Sequence, residues 1–231
     1  MKTLNKLLNK LEISNLAVAV SSVALVAFGY LITSDNPRNI FKESTSKTNY
    51  SEFSLGFGVK NYPKINREDL ESAVFNLKYD YLNELAKKLV PKYNSIITES
   101  FVDKIINLES GGDSLAVSLI GAKGLAQFMP LAWEEVQKTD EAVKYLDYDR
   151  FVFKPNANRY FAVDYLNIIA GELKRKCPDW SILTFNEKRE LIGAGYNGGK
   201  GALEKSKYNI NEMPEETQKY VSRLASKNSN F

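Results

Sequence analysis

Residues 109–130 read ESGGDSLAVSLIGAKGLAQFMP, and this stretch decides how the chain is interpreted. Upstream of it, apolar residues recur at three- and four-residue spacing from 97 to 109, which predicts an amphipathic helix. The Ser-Gly-Gly after Glu109 predicts the end of that helix, because glycine commonly follows a helix C-terminus. The glutamate is therefore expected in the last helical turn, at the start of a glycine-rich loop.

Glu109 would be well placed to hold a proton. A carboxylate at a helix C-terminus meets the negative end of the helix dipole, which disfavours its charged form. Apolar neighbours raise the pKa further, because burial also disfavours the charge. A carboxyl group that stays protonated near neutral pH can act as a general acid on a glycosidic oxygen. Its position alone would also be typical of a solvated surface glutamate.

The whole stretch closely resembles the signature of the soluble lytic transglycosylase (goose-type lysozyme-like) superfamily, which runs E-S-x-G, A-x-S and G-A-x-G-L-x-Q-x-M-P. The matching positions are Glu109, Ser110, Ala116, Ser118, Gly121, Ala122, Gly124, Leu125, Gln127, Met129 and Pro130. Three further blocks match in the expected order, NRYFAVDYL at 158–166, AGYNGGKG at 194–201 and ETQKYV at 216–221. The resemblance covers roughly residues 92–227.

This resemblance implies a mainly α, lysozyme-like fold with Glu109 as the catalytic acid/base. It places Ser118, Gln127, Met129, Tyr196 and Asn197 along the sugar groove, and Glu216 and Tyr220 in support of the active site. Amide side chains suit N-acetyl and hydroxyl groups, and tyrosine offers a flat face to a sugar ring.

Several of these residues also have a structural interpretation. Gln127 could satisfy a loop carbonyl, Met129 could fill the core, Glu216 could be a helix N-terminal acid and Tyr220 could serve packing alone. Trp133 and Trp180 fit either the core or the groove. The chain also departs from the family pattern at Ala126, Gly195 and Gly198, changes that can alter the shape of the groove without touching the acid.

The implied reaction is cleavage of peptidoglycan glycan strands at the MurNAc-β-1,4-GlcNAc bond, with a 1,6-anhydro-muramyl product. One carboxyl group suffices in most members of the family, whereas ordinary glycosidases use two. A hydrolase with a second acid is the alternative, and the candidates for that acid are Asp113, Asp140, Asp147 and Asp149. A non-catalytic wall-binding scaffold on the same fold is a further alternative.

Composition excludes several other chemistries. The 231 residues contain no histidine and one cysteine, so Ser-His-Asp and Cys-His nucleophile systems are excluded. The same composition disfavours a zinc site, since zinc is bound mainly by histidine and cysteine, and we expect neither a metal nor a cofactor. Cys177 is expected to be a small buried side chain. The net charge of +3 is too mild to indicate a nucleic-acid partner.

The N-terminal part of the chain predicts a membrane anchor. A short basic segment at 1–15 precedes an uncharged apolar run at 16–32, and we expect residues 16–33 to cross a lipid bilayer. A cleaved signal peptide and a buried core helix are the alternatives. Residues 34–66 are polar and predict a tether to a catalytic domain at 67–231. The lysines before the run favour a cytoplasmic N-terminus.

The catalytic domain would then face the periplasm or cell wall, or the protein could lie in a virion membrane. A larger secretion, conjugation or virion assembly is a possible partner. Within the domain, hydrophobic periodicity predicts helices at 67–92, 130–145, 157–175, 187–195 and 215–227, besides the one at 97–109. Strand signals are weak, so the expected fold is all-α or has a minor β element.

Overall fold

The computed structural model describes residues 67–226. The predicted basic segment, anchor and tether at 1–66 lie outside the described residues and stay predictions. None of the helices within 67–226 combines the length and apolar character needed to cross a bilayer. The chain divides into two units, Met1–Asn83 and Glu84–Phe231. The second unit contains every element that follows the first helix.

The described residues are mainly helical, as predicted. The helices are α1 (Arg67–Lys88), α2 (Glu99–Ser110), α3 (Pro130–Thr139), α4 (Tyr148–Phe151), α5 (Pro155–Lys176), α6 (Phe185–Gly198), α7 (Lys200–Lys205) and α8 (Glu215–Ala225), with a 3-10 turn at Ile210–Glu212. The minor β element consists of two antiparallel bridges, Val117 with Lys123 and Lys123 with Phe128.

Three boundaries differ from the sequence prediction by three residues or more, and three short elements were not predicted. Helix α1 ends at Lys88, and α3 ends at Thr139 because the backbone at Asp140 is extended. Helix α6 continues to Gly198, three residues past the predicted end. The short elements α4, α7 and the 3-10 turn were not predicted, since pieces of three to six residues carry too little periodicity to be recognised.

The helix ends follow ordinary capping chemistry. The Thr98 side chain caps α2 by accepting a hydrogen bond from the Phe101 amide, which also donates to the Thr98 carbonyl. Thr184 and Glu187 form a capping box at the start of α6. Helices α3 and α5 both begin with proline, which tolerates the first turn because no amide donor is needed there. These caps fix where the helices that carry the site begin.

An aromatic cluster between α3 and α5 forms part of the core. Trp133 stacks on Phe161 with ring centroids 3.5 Å apart, and Phe128 meets both rings edge-on. The Trp133 indole donates a hydrogen bond to the Leu146 carbonyl at 2.8 Å. Trp133 is thus a core residue, and Trp180 is buried as well. Cys177 is buried and unpaired, as predicted.

Helices α6 and α8 pack tightly against each other. A β-carbon added at Gly193 of α6 would lie 2.4 Å from the Leu224 Cδ2 atom of α8. Only glycine allows this separation without movement of the neighbouring side chain. Leu224, Val221 and Tyr220 of α8 are all buried. This close packing holds one of the predicted site residues, Tyr220, at a fixed position on α8.

Candidate active site

Glu109 lies in the last turn of α2, where the sequence placed it. Gly111 ends the helix in the left-handed conformation, with a φ of 65°, and its amide donates to the Asn107 carbonyl at 3.0 Å. The Glu109 side chain is half-buried. Its carboxyl group is thus held at the end of a rigid element and is partly shielded from water.

The environment of Glu109 favours its protonated form. Burial raises the pKa of the carboxyl group from 4.5 to about 7, because the charged form loses hydration. The nearby Tyr220 hydroxyl acts in the opposite direction by favouring the carboxylate form, and the negative charge of Glu216 raises the pKa again. Near neutral pH both protonation states of Glu109 are therefore populated.

The Tyr220 hydroxyl and the Glu109 carboxyl group influence each other's pKa. The Tyr220 side chain is buried, and its pKa is well above 10, chiefly because of that burial and then because of the charge on Glu109. Within residues 67–226, the buried hydroxyl forms no hydrogen bond of ordinary geometry. It is nonetheless close enough to Glu109 to lower the pKa of that carboxyl group.

Tyr196 approaches Glu109 from α6. Burial and the charge of Glu109 hold its pKa well above 10, so the phenol stays neutral. Its hydroxyl donates to the Ala126 carbonyl at 2.6 Å, which joins α6 to the loop after Glu109. The neighbouring Asn197 is half-buried, and its side chain has no hydrogen-bond partner in the described part of the chain. Its amide is therefore available to a ligand.

The loop from Gly111 to Met129 carries the other predicted groove residues. Gln127 has a φ of 49°, uncommon for a residue with a side chain, and its amide nitrogen donates to the Ala116 and Gly124 carbonyls. The Gln127 side-chain nitrogen thus satisfies loop carbonyls, which was the structural interpretation of this residue. The Ser118 hydroxyl accepts from the Ala122 amide at 3.0 Å. Met129 is 40% exposed, so it does not fill the core.

Glu216 is exposed in the first turn of α8, a position where a negative charge is favourable. It also raises the pKa of Glu109 through its charge. Glu216 is therefore a helix N-terminal acid, as the structural interpretation of this residue predicted, and an electrostatic neighbour of Glu109 at the same time.

The comparison with protein families agrees with this geometry. The family model described as "Transglycosylase SLT domain" matches residues 87–219, which is more than half of the chain. The chain belongs to this family. Members of the family are lytic transglycosylases that act on peptidoglycan, so membership gives the SLT domain a peptidoglycan-acting function of this general type. Searches of curated proteins and of solved structures returned no match.

Two residues of the SLT domain were missed as site residues. Tyr165 of α5 meets the Tyr196 ring edge-on at 5.7 Å, and Asn158 of α5 bonds the loop at Ala126. Both lie in the NRYFAVDYL block. The block itself was the signal, since an asparagine in an otherwise apolar helix face requires buried partners.

The candidates for a second acid in the SLT domain all have structural partners. Asp113 accepts from the Leu115 amide, Asp147 caps α4 at Arg150, Asp149 pairs with Lys123, and Asp140 accepts from the Tyr160 hydroxyl. Each carboxylate is held by a group of its own loop, by a helix end or by a nearby side chain. The acid whose charge raises the pKa of Glu109 is instead Glu216.

Proposed function

We propose that the protein is a peptidoglycan lytic transglycosylase that cleaves the MurNAc-β-1,4-GlcNAc bond, with Glu109 as its only general acid/base. The observation that carries the proposal is the half-buried Glu109 carboxyl group with a pKa of about 7. A general acid/base works best when its pKa lies near the working pH, because both protonation states are then accessible.

In the first step, protonated Glu109 donates its proton to the glycosidic oxygen as the bond to C1 of the muramyl sugar breaks. Glu109 becomes an anion in a partly dry site, which costs free energy. The Tyr220 hydroxyl can offset this cost by hydrogen bonding to the carboxylate, since its contribution lowers the Glu109 pKa. This supports a role for Tyr220 that an apolar packing residue could not perform.

In the second step, the Glu109 carboxylate takes the proton of the muramyl 6-hydroxyl as that oxygen bonds to C1 of the same sugar. The product is a 1,6-anhydro-muramyl end, and Glu109 regains its proton. Because nucleophile and electrophile belong to one sugar, the attack gains the advantage of proximity. The N-acetyl group of the substrate assists in stabilising the positive charge at C1.

The groove is proposed to include Ser118, Gln127, Met129, Tyr196 and Asn197. The free amide of Asn197 supports this assignment, because it offers both a donor and an acceptor to an N-acetyl group. The Gln127 nitrogen is occupied by loop carbonyls, which leaves its oxygen for the substrate. The exposed part of Met129 gives the groove an apolar contact.

Hydrolysis by a lysozyme-type mechanism is the second candidate. It would need a second carboxylate or a positioned water, and the structural partners of Asp113, Asp140, Asp147 and Asp149 speak against those residues. Mass spectrometry of the muropeptides released from purified peptidoglycan separates the two reactions. We expect anhydro-muramyl ends, which are lighter by one water; reducing muramyl ends would reject the transglycosylase reaction.

We also propose that residues 16–33 anchor the protein in a membrane, with the N-terminus cytoplasmic and the SLT domain facing the cell wall. The apolar run at 16–32 and the preceding lysines support this topology. Extraction of membranes with alkaline carbonate, followed by protease treatment of intact spheroplasts, tests it. The anchor predicts a carbonate-resistant chain whose SLT domain is digested from outside; extraction by carbonate would contradict it.

A further inference from the structure

Asn158 is a buried polar residue at the start of α5. Its exposed fraction is 0%, and its neighbours along the helix include the buried apolar residues Ala157, Phe161 and Ala162. An unsatisfied amide at such a place would cost about 1–3 kcal/mol, so its partners decide whether it can be tolerated. Asn158 has such partners, and all of them are backbone groups of other segments.

The Asn158 amide joins three stretches of backbone. Its oxygen accepts a hydrogen bond from the Ala126 amide at 2.9 Å. Its nitrogen donates to the Val152 carbonyl at 2.7 Å and, more weakly, to the Lys123 carbonyl at 3.4 Å. One side chain thereby fixes the loop 123–126 to α5 and to the residue that follows α4.

The loop lies so close to Asn158 that no side chain fits between them. A β-carbon at Gly124 would lie 2.3 Å from the Asn158 nitrogen and 2.3 Å from the Val152 carbonyl oxygen. Gly124 also has a φ of 76°, which side-chain-bearing residues rarely adopt. The absence of a side chain at Gly124 therefore leaves the space that the Asn158 amide and the Val152 carbonyl occupy.

Ala126 connects this arrangement to the catalytic carboxyl group. Its amide is bound to Asn158, and its carbonyl accepts the Tyr196 hydroxyl at 2.6 Å. Tyr196 in turn lies within electrostatic reach of Glu109. Gln127, which follows Ala126, is the proposed groove residue with the strained φ. A continuous path therefore runs from Asn158 through Ala126 to Tyr196 beside Glu109.

We propose that Asn158 is a positioning residue for the reaction: by holding Ala126, it keeps the Tyr196 hydroxyl turned away from Glu109 and keeps the groove residue Gln127 in place. The inference rests on the proposed function of Glu109. If Ala126 is released, the Tyr196 hydroxyl loses its acceptor and water reaches Glu109. Better hydration then favours the Glu109 anion, so fewer molecules hold the proton that cleavage requires.

Asn158→Ala tests this inference in the full-length chain, with kcat, KM and the pH profile measured on soluble glycan strands. We expect kcat to fall roughly 10–100-fold, as for other small losses of geometry, while KM changes less. We also expect the alkaline limb of the profile to move to lower pH. Leu173→Ala is the matched control, because Leu173 is a buried residue in the last turns of the same helix. It should lower the melting temperature and leave the pH profile unchanged.

A double-mutant cycle with Tyr196→Phe tests the path through Ala126. If Asn158 acts through Tyr196, Asn158→Ala will cost much less kcat in the Tyr196→Phe background than in the parent chain. Fully additive losses, or a wild-type pH profile in Asn158→Ala, would overturn the proposal.

Two further variants keep the result interpretable. If Asn158→Ala does not fold, Asn158→Asp, which preserves the volume, is judged by the same criteria. If that also fails, the isosteric Tyr196→Phe decides, and an unshifted pH profile in it rejects the path. Glu109→Gln separates the two levels of the argument: activity in Glu109→Gln rejects the proposed function itself. If Glu109→Gln is inactive and Asn158→Ala has the kcat and pH profile of the parent chain, only the positioning role of Asn158 is rejected.

Discussion

The loop that follows Glu109 and the helix pair α6–α8 are held in place by different interactions. The loop has positive φ at Gly111, Gly112, Gly121, Gly124 and Gln127, and side-chain-to-backbone hydrogen bonds stabilise it. Its apolar side chains at Leu115, Val117, Leu119 and Ile120 are exposed. Helices α6 and α8 instead bury their apolar faces against each other, with Gly193 allowing the close approach.

The difference separates two tasks. Burial and α8 set the protonation of Glu109, through desolvation, Tyr220 and Glu216. The loop carries the proposed groove residues Ser118 and Gln127, and a few hydrogen bonds hold it in shape. Changes in the helix pair should therefore alter the pH dependence of the reaction. Changes in the loop should alter the geometry of the groove, and a change that releases Ala126 should also shift the pH dependence, because Ala126 holds the Tyr196 hydroxyl.

The largest expected effect on stability comes from breaking the loop at its tightest contact. Gly124→Ala adds a β-carbon 2.3 Å from backbone and side-chain atoms at a positive φ, so we expect a loss of about 2–5 kcal/mol. Gly121→Ala is the control, because Gly121 has a similar φ of 86° and open space around it. Its loss should be about 1–2 kcal/mol, from the backbone alone. Urea unfolding measures both, and equal losses would refute the importance of the close approach.

The next effect is the pH-dependent destabilisation of the folded protein by Glu109. Its folded pKa of about 7 exceeds its ordinary value of 4.5, so the folded protein binds the proton more tightly than the unfolded chain does. The unfolding free energy therefore falls as pH rises from about 4.5 through about 7, by about 3 kcal/mol for this group.

Glu109→Gln removes that titration. Its unfolding free energy should exceed that of the parent chain at pH 8 and approach it at pH 4, as measured by urea unfolding at both values. A difference independent of pH would show that the Glu109 pKa is not raised in the folded state.

Sequence patterns predicted the helical architecture and the position of Glu109 at a helix end, because both rest on local features: apolar spacing along each helix and glycines after its last turn. They could not predict that the Gln127 nitrogen is used by the loop itself, since its partners Ala116 and Gly124 are set by the folded loop. The roles of Asn158 and Tyr165 depend on contacts between α5 and distant segments. Spacing along one helix does not encode such contacts.

A smaller effect tests how α8 tunes Glu109. Tyr220→Phe removes the hydroxyl that lowers the Glu109 pKa, so the alkaline limb of the pH–rate profile should move to higher pH. Glu216→Gln removes a charge that raises this pKa, so the same limb should move to lower pH. The two variants serve as controls for each other. Shifts in the same direction would show that α8 does not act through these two groups.

The smallest effect is expected at the tip of the loop. Leu119 is fully exposed, so Leu119→Ser removes no buried apolar surface and should change the unfolding free energy by less than about 0.5 kcal/mol. Leu224→Ser on α8 is the contrasting variant, because Leu224 is buried against α6. Thermal unfolding compares them. A large loss at Leu119 would mean that the loop is stabilised by apolar packing after all.

The most direct test of the central claim is muropeptide release from purified peptidoglycan by the full-length chain and by Glu109→Gln. Glutamine keeps the size of the side chain but can neither donate nor accept the transferred proton. If Glu109 is the single general acid/base, release should fall by about 10²–10⁴-fold while the fold is preserved. The muropeptides that the parent chain releases should carry 1,6-anhydro ends. Wild-type release by Glu109→Gln would contradict the account.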